Sequence, residues 1–257
     1  MSSYSNIHER VWKKTKKSTI AFTNSENMDS FFITLLQKKQ LTHDIYELIY
    51  RCETEIIILP GQFLLCETDA TNSKLRRSYS VSNYQKWNIH FIIKELTSGK
   101  GGSKAICHQK KGHTMQVWWP IGTFVLPTVM REKLIFIGTG TGFAPLYFQA
   151  KHILESSPNT SLHFIFGVRE ERGLFYQELL WEWSEKYPHF FYQFCLSQWK
   201  REGCFQWRVT EYLKNHTELL DRESLYSICG SPAMVNDVRE MLSDANIEKD
   251  HIFFEQY

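Results

Sequence analysis

A chain of 257 residues is too long for one ordinary α/β domain and suits two of about 100–150 residues each. Hydrophobic residues make up 42% and charged residues 23%, a globular composition with enough apolar material for two cores. A net charge of +2 gives no global argument for nucleic acid or a membrane surface, and no apolar run approaches the ~20 residues of a membrane span.

Residues 1–29 carry Ser, Asn, Lys and Thr without a hydrophobic period, and Arg10, Lys13, Lys14, Lys16 and Lys17 crowd together there. They read as a disordered basic tail, either solvated or docking on an acidic protein or polyanion. The segment lacks the apolar centre of a signal peptide, so a cytoplasmic protein is expected. Order begins near Ser30, with a first strand over Phe31 to Leu36. Short β-rich runs follow at Ile45 to Arg51, Gln62 to Glu67 after the Pro60-Gly61 turn, Tyr79 to Ser82, Ile89 to Lys94 and Met115 to Trp119. Strands so short and close predict an antiparallel barrel, with a short helix starting at Gly101-Gly102-Ser103.

The pattern changes near Arg131. An apolar run from Lys133 to Ile137 ends in Gly138-Thr139-Gly140-Thr141-Gly142, and a helix is predicted from Pro145 to Leu154. Strands follow at Leu162 to Gly167, Phe190 to Leu196 and Ser224 to Cys229. Helices are predicted at Tyr176 to Tyr187, Thr210 to Leu219 and Met234 to Ala245. This alternation predicts a parallel sheet with helices on both faces. The domains are therefore 30–128, an antiparallel β-barrel, and 129–257, an α/β parallel-sheet domain. The six cysteines include no CxxC pair, which is wrong for zinc or an iron–sulfur cluster; free, reduced thiols and no metal are expected.

Five segments carry candidate chemistry. Glycines at 138–142, between strand and helix, let a backbone approach a pyrophosphate, and Pro145 is tolerated in the first helical turn. Arg77-Ser78-Tyr79-Ser80 joins a phosphate-pairing guanidinium to an aromatic on the same side of the strand and a hydroxyl suited to a ring nitrogen. Gly101-Gly102-Ser103 is either a second anion-binding turn or a flexible hairpin. Cys229-Gly230-Ser231-Pro232 ends the last parallel strand, where such sheets present ligands, although a lone Cys there is commonly a small buried hydrophobe. On residues alone, the terminal Phe253-Phe254-Glu255-Gln256-Tyr257 carries no signal, since chain ends fray.

In this order the pieces resemble the ferredoxin–NADP reductase superfamily over residues 30 to 257: R-x-Y-S at 77–80, the GTGxxP loop at Gly138 to Pro145, and C-G-x-P-x-M at 229–234. The resemblance implies a flavin-binding barrel followed by a nucleotide-binding domain, with FAD and NADP (or NAD) as cofactors. It places Arg77 on the flavin pyrophosphate, Tyr79 along the isoalloxazine and Ser80 near flavin N5, with Val81 and Ser82 continuing that contact and Gly101, Gly102 and Ser103 forming a second pyrophosphate turn. It gives Thr139, Gly140, Thr141, Gly142 and Pro145 to the nicotinamide nucleotide, and Arg169, Ser197 and Arg208 to its adenosine side. Cys229 and Glu255 would stand with Ser80 at the reacting point. Tyr257 would cover the flavin and move aside for nicotinamide. Where NADP-specific members carry Ser-Arg, this chain has Ser197-Gln198, leaving Arg169, Lys200, Arg201 and Arg208 as candidates for a 2′-phosphate. The implied activity is electron transfer between NADPH and a separate one-electron carrier such as ferredoxin or flavodoxin. The alternative is an NADH-dependent reductase subunit of an oxygenase or flavin-reducing system. Nucleic acid is not an expected partner.

Overall fold

Alternating burial gives each strand of the first domain one inward face. In β1 (Ser30–Gln40), Phe31, Ile33 and Leu35 are buried while Ser30 and Phe32 face solvent. With β2 (Ile45–Cys52), β3 (Phe63–Glu67), β4 (Arg76–Gln85), β5 (Asn88–Lys94) and β6 (Thr114–Ile121), it closes an antiparallel barrel in the order β1-β2-β5-β4-β3-β6. This computed structural model describes residues 29–68, 75–98, 100–127 and 129–257. Leu48, Tyr50, Leu64, Val81, Phe91 and Val117 fill the barrel, and the buried Tyr50 hydroxyl donates to Gln109 Oε1 at 2.6 Å. Helix α1 (Gly102–Cys107) lies between β5 and β6. The basic tail assigned to residues 1–29 falls, apart from Asp29, outside the described residues.

The second domain begins with β7 (Lys133–Thr139), whose Leu134, Ile135, Phe136 and Ile137 are all fully buried. Such a run is what a parallel strand covered on both faces requires. After it come α2 (Phe143–Ser156), β8 (Ser161–Val168), α3 (Gln177–Lys186), β9 (Phe190–Leu196), β10 (Phe205–Gln206), α4 (Val209–Asn215), β11 (Leu225–Gly230), α5 (Pro232–Asp244) and β12 (Ile252–Gln256). The strands pair in parallel in the order β10-β9-β8-β7-β11-β12. The chain winds outward from β7 to one side and returns through β11 to the other. The ends of β7 and β11 therefore flank the crevice where sheets of this kind hold ligands. Helix α5 starts on Ser231, whose hydroxyl accepts from the Met234 amide at 3.4 Å, with Pro232 in the first turn.

Three elements depart from the sequence expectation. Strand β4 runs ten residues rather than four, because both of its edges are paired inside a closed barrel and its polar residues keep their ladder bonds. The helix expected over Thr210 to Leu219 stops at Asn215 and continues as a 3-10 turn, Thr217–Leu219. The C-terminal run does not fray: Ile252 to Gln256 pair in parallel with Tyr226 to Gly230, and the Tyr257 amide donates to the Gly230 carbonyl at 3.3 Å. Among the described residues, no helix is long and apolar enough to cross a membrane.

Helix α2 joins the two halves. Its Phe143 and Leu146 share a core with Ile45 and Ile92 of the barrel and with Phe124, while Phe148 reaches the barrel core. Lys151 Nζ on the same helix donates to Asn83 Oδ1 of β4 at 3.1 Å.

Candidate functional site

One wall of the site is built by β4 and the start of α1. Gly101 adopts φ 81 and leads into α1, and no side chain caps that helix. Its first-turn amides are therefore available to an anion. A Cβ on Gly102 would stand 3.1 Å from Arg77 Cγ and 3.0 Å from Thr68 Oγ1, so the arginine side chain lies directly over the glycine turn. Arg77 NH1 donates to its neighbour's carbonyl, Arg76 O, at 2.7 Å. Guanidinium and helix start thus converge on one spot, a cradle for a pyrophosphate. Ser103 Oγ accepts from the Leu96 amide at 3.1 Å and fixes the approach to the turn. Tyr79 lines the same cleft, its ring edge-on to Phe91 at 6.4 Å, and burial pushes its phenol well above the ordinary range.

The opposite wall is the glycine loop after β7. Gly140 sits in the left-handed region at φ 57, with open space where a Cβ would point. Gly142 has an ordinary φ of −57, but a Cβ there would lie 2.1 Å from the Cys229 carbonyl oxygen. The loop is thus pressed against the end of β11, and Thr139 Oγ1 accepts from the Ser231 amide at 3.4 Å. Thr139, Gly140 and Thr141 face the cleft. Gly142 and Pro145 are buried behind it, where they shape the loop and the first turn of α2.

The two walls meet at the C-terminal strand. Ser80 Oγ, in the barrel, donates to Glu255 Oε2 at 3.2 Å. Glu255 pairs in register with Cys229 on the neighbouring strand. Burial raises the Glu255 carboxyl, and the Ser80 bond works against that rise. Cys229 is fully buried, and burial, then the Glu255 charge, lifts its thiol well above the ordinary value. Such a thiol is a packing group rather than a nucleophile. The Tyr257 phenol sits beside Thr141 and Cys229 and is raised above its ordinary value, while 54% of the residue's surface stays open. The residue therefore borders the junction without being locked in.

Together these residues enclose a cleft of about 1340 Å³ between the domains. Arg77, Tyr79, Ser80, Gly101, Gly102, Ser103, Thr139, Gly140, Thr141, Arg169, Ser197, Arg208, Glu255 and Tyr257 all line it. Val81 and Ser82 do not. Val81 follows Tyr79 by two residues and faces the barrel core, its amide spent on the Gln62 carbonyl at 2.9 Å, and strand β4 shifts register just after it, between Val81 and Asn83. Ser82 is buried, and its hydroxyl has no partner among the described residues. Cys229 stands one layer behind the wall, in contact through Glu255 and Tyr257.

At the far end Arg169 and Arg208 border the cleft together with Ser197 and Gln198. Of the other proposed phosphate ligands, Lys200 is not part of the wall, and Arg201 is turned away onto Glu171 at 3.3 Å and Gln177 at 2.6 Å. Arg172, which the sequence reading omitted, does line the cleft and pairs with Glu170 at 2.7 Å. Its place just past the C-terminal end of β8 was the available signal. The donor set suits two dinucleotides: a guanidinium and helix start in the barrel, and a glycine loop with arginines beyond it in the sheet.

Comparison with known proteins agrees with this division. A family model of the oxidoreductase FAD-binding domain matches residues 32–126, and one of the oxidoreductase NAD-binding domain matches residues 136–240. The chain is 27% identical over 204 residues to the toluate 1,2-dioxygenase electron transfer component of Pseudomonas putida, covering 79% of this chain and 60% of that protein. It is 25% identical to the propane 2-monooxygenase reductase component of Rhodococcus jostii, covering 77% and 55%. It thus spans little more than half the length of these relatives. A ferredoxin NADP+ reductase from Neisseria gonorrhoeae, solved with bound FAD and NADP, shares the fold at a TM-score of 0.79 and 20% identity, covering 90% of this chain and 99% of that one.

Proposed function

We propose that this chain, which belongs to the ferredoxin–NADP reductase superfamily by its oxidoreductase FAD-binding and NAD-binding domains, is an NAD(P)H-dependent flavoprotein that serves as the reductase of an oxygenase system. The observation that carries the chemistry is the shared cleft, closed at its centre by the 3.2 Å bond from Ser80 to Glu255 across the two domains. A flavin bound in the barrel half would supply the link between the two-electron chemistry of a nicotinamide and single electrons for a partner. Arg77 and the amides of Gly101 and Gly102 would hold its pyrophosphate, and Tyr79 would flank its ring. The glycine loop opens onto the same junction, where Thr139, Gly140 and Thr141 would present a bound nicotinamide. Glu255, held by Ser80, offers an acceptor beside the reacting point. Tyr257 lines the cleft beside it and would have to move aside for a bound nucleotide. Arg169 and Arg208 form no ion pair among the described residues, and their two charges at the adenosine end favour the 2′-phosphate of NADPH over NADH.

The oxygenase assignment rests on the relatives, which include electron transfer or reductase components of toluate, anthranilate and propane oxygenases. Transfer to a free ferredoxin or flavodoxin is the second reading, supported by likeness of fold alone. Anaerobic titration of the purified flavoprotein with NADPH and with NADH, followed by turnover with ferricyanide, ferredoxin and flavodoxin, separates the two. Bleaching by NADPH with slow turnover of both carriers supports the oxygenase reading. Fast saturable turnover with either carrier favours the second, and no bleaching by either nucleotide removes both.

A further inference from the structure

Behind the cleft the domains are tied by a second polar crossing. Gln149 is fully buried in the middle of α2, where its neighbours Leu146, Phe148, Ala150 and Ile153 are apolar. Its amide is spanned from both sides. Ser227 Oγ donates to Gln149 Oε1 at 2.6 Å, and Gln149 Nε2 donates to the Phe124 carbonyl at 2.8 Å. Ser227 lies two residues before Cys229 on β11, so both side chains leave the strand on the same side. The Phe124 carbonyl in turn rests on Gly61, where a Cβ would approach it to 1.8 Å. The next residue, Gln62, accepts from the Val81 amide at 2.9 Å, and Val81 adjoins Ser80.

These contacts close a ring. From Ser80 it passes to Glu255, across the strand pair to Cys229, back through Ser227 to Gln149, then by Phe124, Gly61, Gln62 and Val81 to Ser80 again. It crosses between the two halves twice: in front through Ser80 and Glu255, and behind through Gln149. The front crossing borders the space that incoming nicotinamide must enter, and the Glu255 carboxylate is only partly buried. The rear crossing is fully buried, and neither Gln149 nor Ser227 lines the cleft. A buried amide with its oxygen and nitrogen satisfied by different chain segments fixes the distance between those segments.

We propose that Gln149 is a positioning residue for electron transfer in this cleft, setting the separation between the strand that presents Cys229 and the strand that presents Ser80. The proposal rests on the reading of the cleft as the flavin–nicotinamide site. Geometry of this kind is rate-determining at small displacements: a misplacement of about 1 Å is able to cost roughly 100-fold.

The test uses the flavin-loaded protein with Gln149→Met and with Ser227→Ala, the second removing only a hydroxyl should the first fail to fold. Four quantities are measured: the anaerobic rate of flavin bleaching, nucleotide affinity, the long-wavelength absorbance of the flavin–nicotinamide complex, and deuterium exchange at the Val81 amide. Expected are bleaching slowed about 10-fold or more in Gln149→Met, affinity within about threefold, weaker long-wavelength absorbance and faster exchange at Val81. Ser227→Ala shifts each in the same direction by less, and the double variant is no worse than Gln149→Met, since both act through one contact. Bleaching within about twofold of the unaltered protein in both variants overturns the proposal, as does equal loss of rate and affinity, which would mark Gln149 as structural only. Failure of the unaltered protein to bleach at all would instead overturn the cleft assignment.

Discussion

Replacing Gly142 by alanine isolates the close approach between the glycine loop and β11. The residue has φ −57 and ψ −14, so alanine meets no backbone penalty there. The added Cβ would, however, lie 2.1 Å from the Cys229 oxygen, 2.5 Å from its carbonyl carbon and 2.9 Å from the Gly230 nitrogen. An unstrained carbon–oxygen contact is about 3.3 Å, so loop and strand must separate by roughly 1 Å. All three obstacles are backbone, and β11 is held on both sides by β7 and β12. Overpacking of this kind costs about 1–3 kcal/mol, or roughly 2–10 °C of melting temperature in a chain of this size. Because Cys229 is the register partner of Glu255, the shift also moves the reacting junction, and bleaching by NADPH should slow by about 10- to 100-fold. Gly140→Ala is the companion measurement. There the space is open and φ is 57, so only the left-handed penalty of roughly 1–2 kcal/mol applies, with little displacement of β11. Thermal melts and anaerobic stopped-flow absorbance on both variants read the contrast. If Gly142→Ala melts within a degree of the parent and bleaches within about twofold, the packed junction is not what aligns the site.

Tyr257→Ser should tighten nucleotide binding by roughly tenfold, since a nucleotide entering the cleft would no longer have to displace the ring, a saving of about 1.4 kcal/mol. Tyr257→Phe should fall between the two, and equal dissociation constants for all three would discount the gate. Arg77→Ala should loosen FAD by roughly 10- to 150-fold, the loss of one charge-assisted contact of about 1.5–3 kcal/mol, read as flavin fluorescence released on dilution; full retention of flavin would move the pyrophosphate elsewhere. Glu255 titrates above its ordinary value of 4.5 because of burial. The folded chain then holds a proton that the unfolded chain has released, so this residue's contribution to stability falls as pH rises from 4.5 through the raised value. Glu255→Gln should therefore melt higher than the parent at pH 7, with the gap closing below 4.5; a constant gap across that window would count against a desolvated carboxylate.

Much of the molecule could be read from residue order, because the signals were local. The Lys133 to Ile137 run is apolar without alternation since both faces of β7 are covered, and Arg77, Tyr79 and Ser80 were placed by a short motif within one strand. What escaped was non-local. Val81 and Ser82 are buried beside a register shift against β5 that only the closed barrel defines. The terminal strand exists because β11 offers it an edge 26 residues upstream, Glu255 against Cys229 and Gln256 against Gly230, and that pairing cannot be seen from the run itself. Arg201 and Arg169 look alike in sequence; the first is claimed by Glu171 and Gln177 and the second is not. Gln149 carried no motif at all, and only its two buried partners distinguish it from any helical glutamine.

Helix α2 has a consequence for attempts to recombine relatives of this protein. Its leading end shapes the loop that receives the nucleotide, while Phe148 and Lys151 fit the other half of the chain. A chimera spliced at the linker between β6 and β7 would set a foreign helix against a native β4 and leave both surfaces mismatched. Transplanting a donor preference calls for grafting the far rim of the crevice, around Arg169 and Arg208, and leaving this shared helix with its original host.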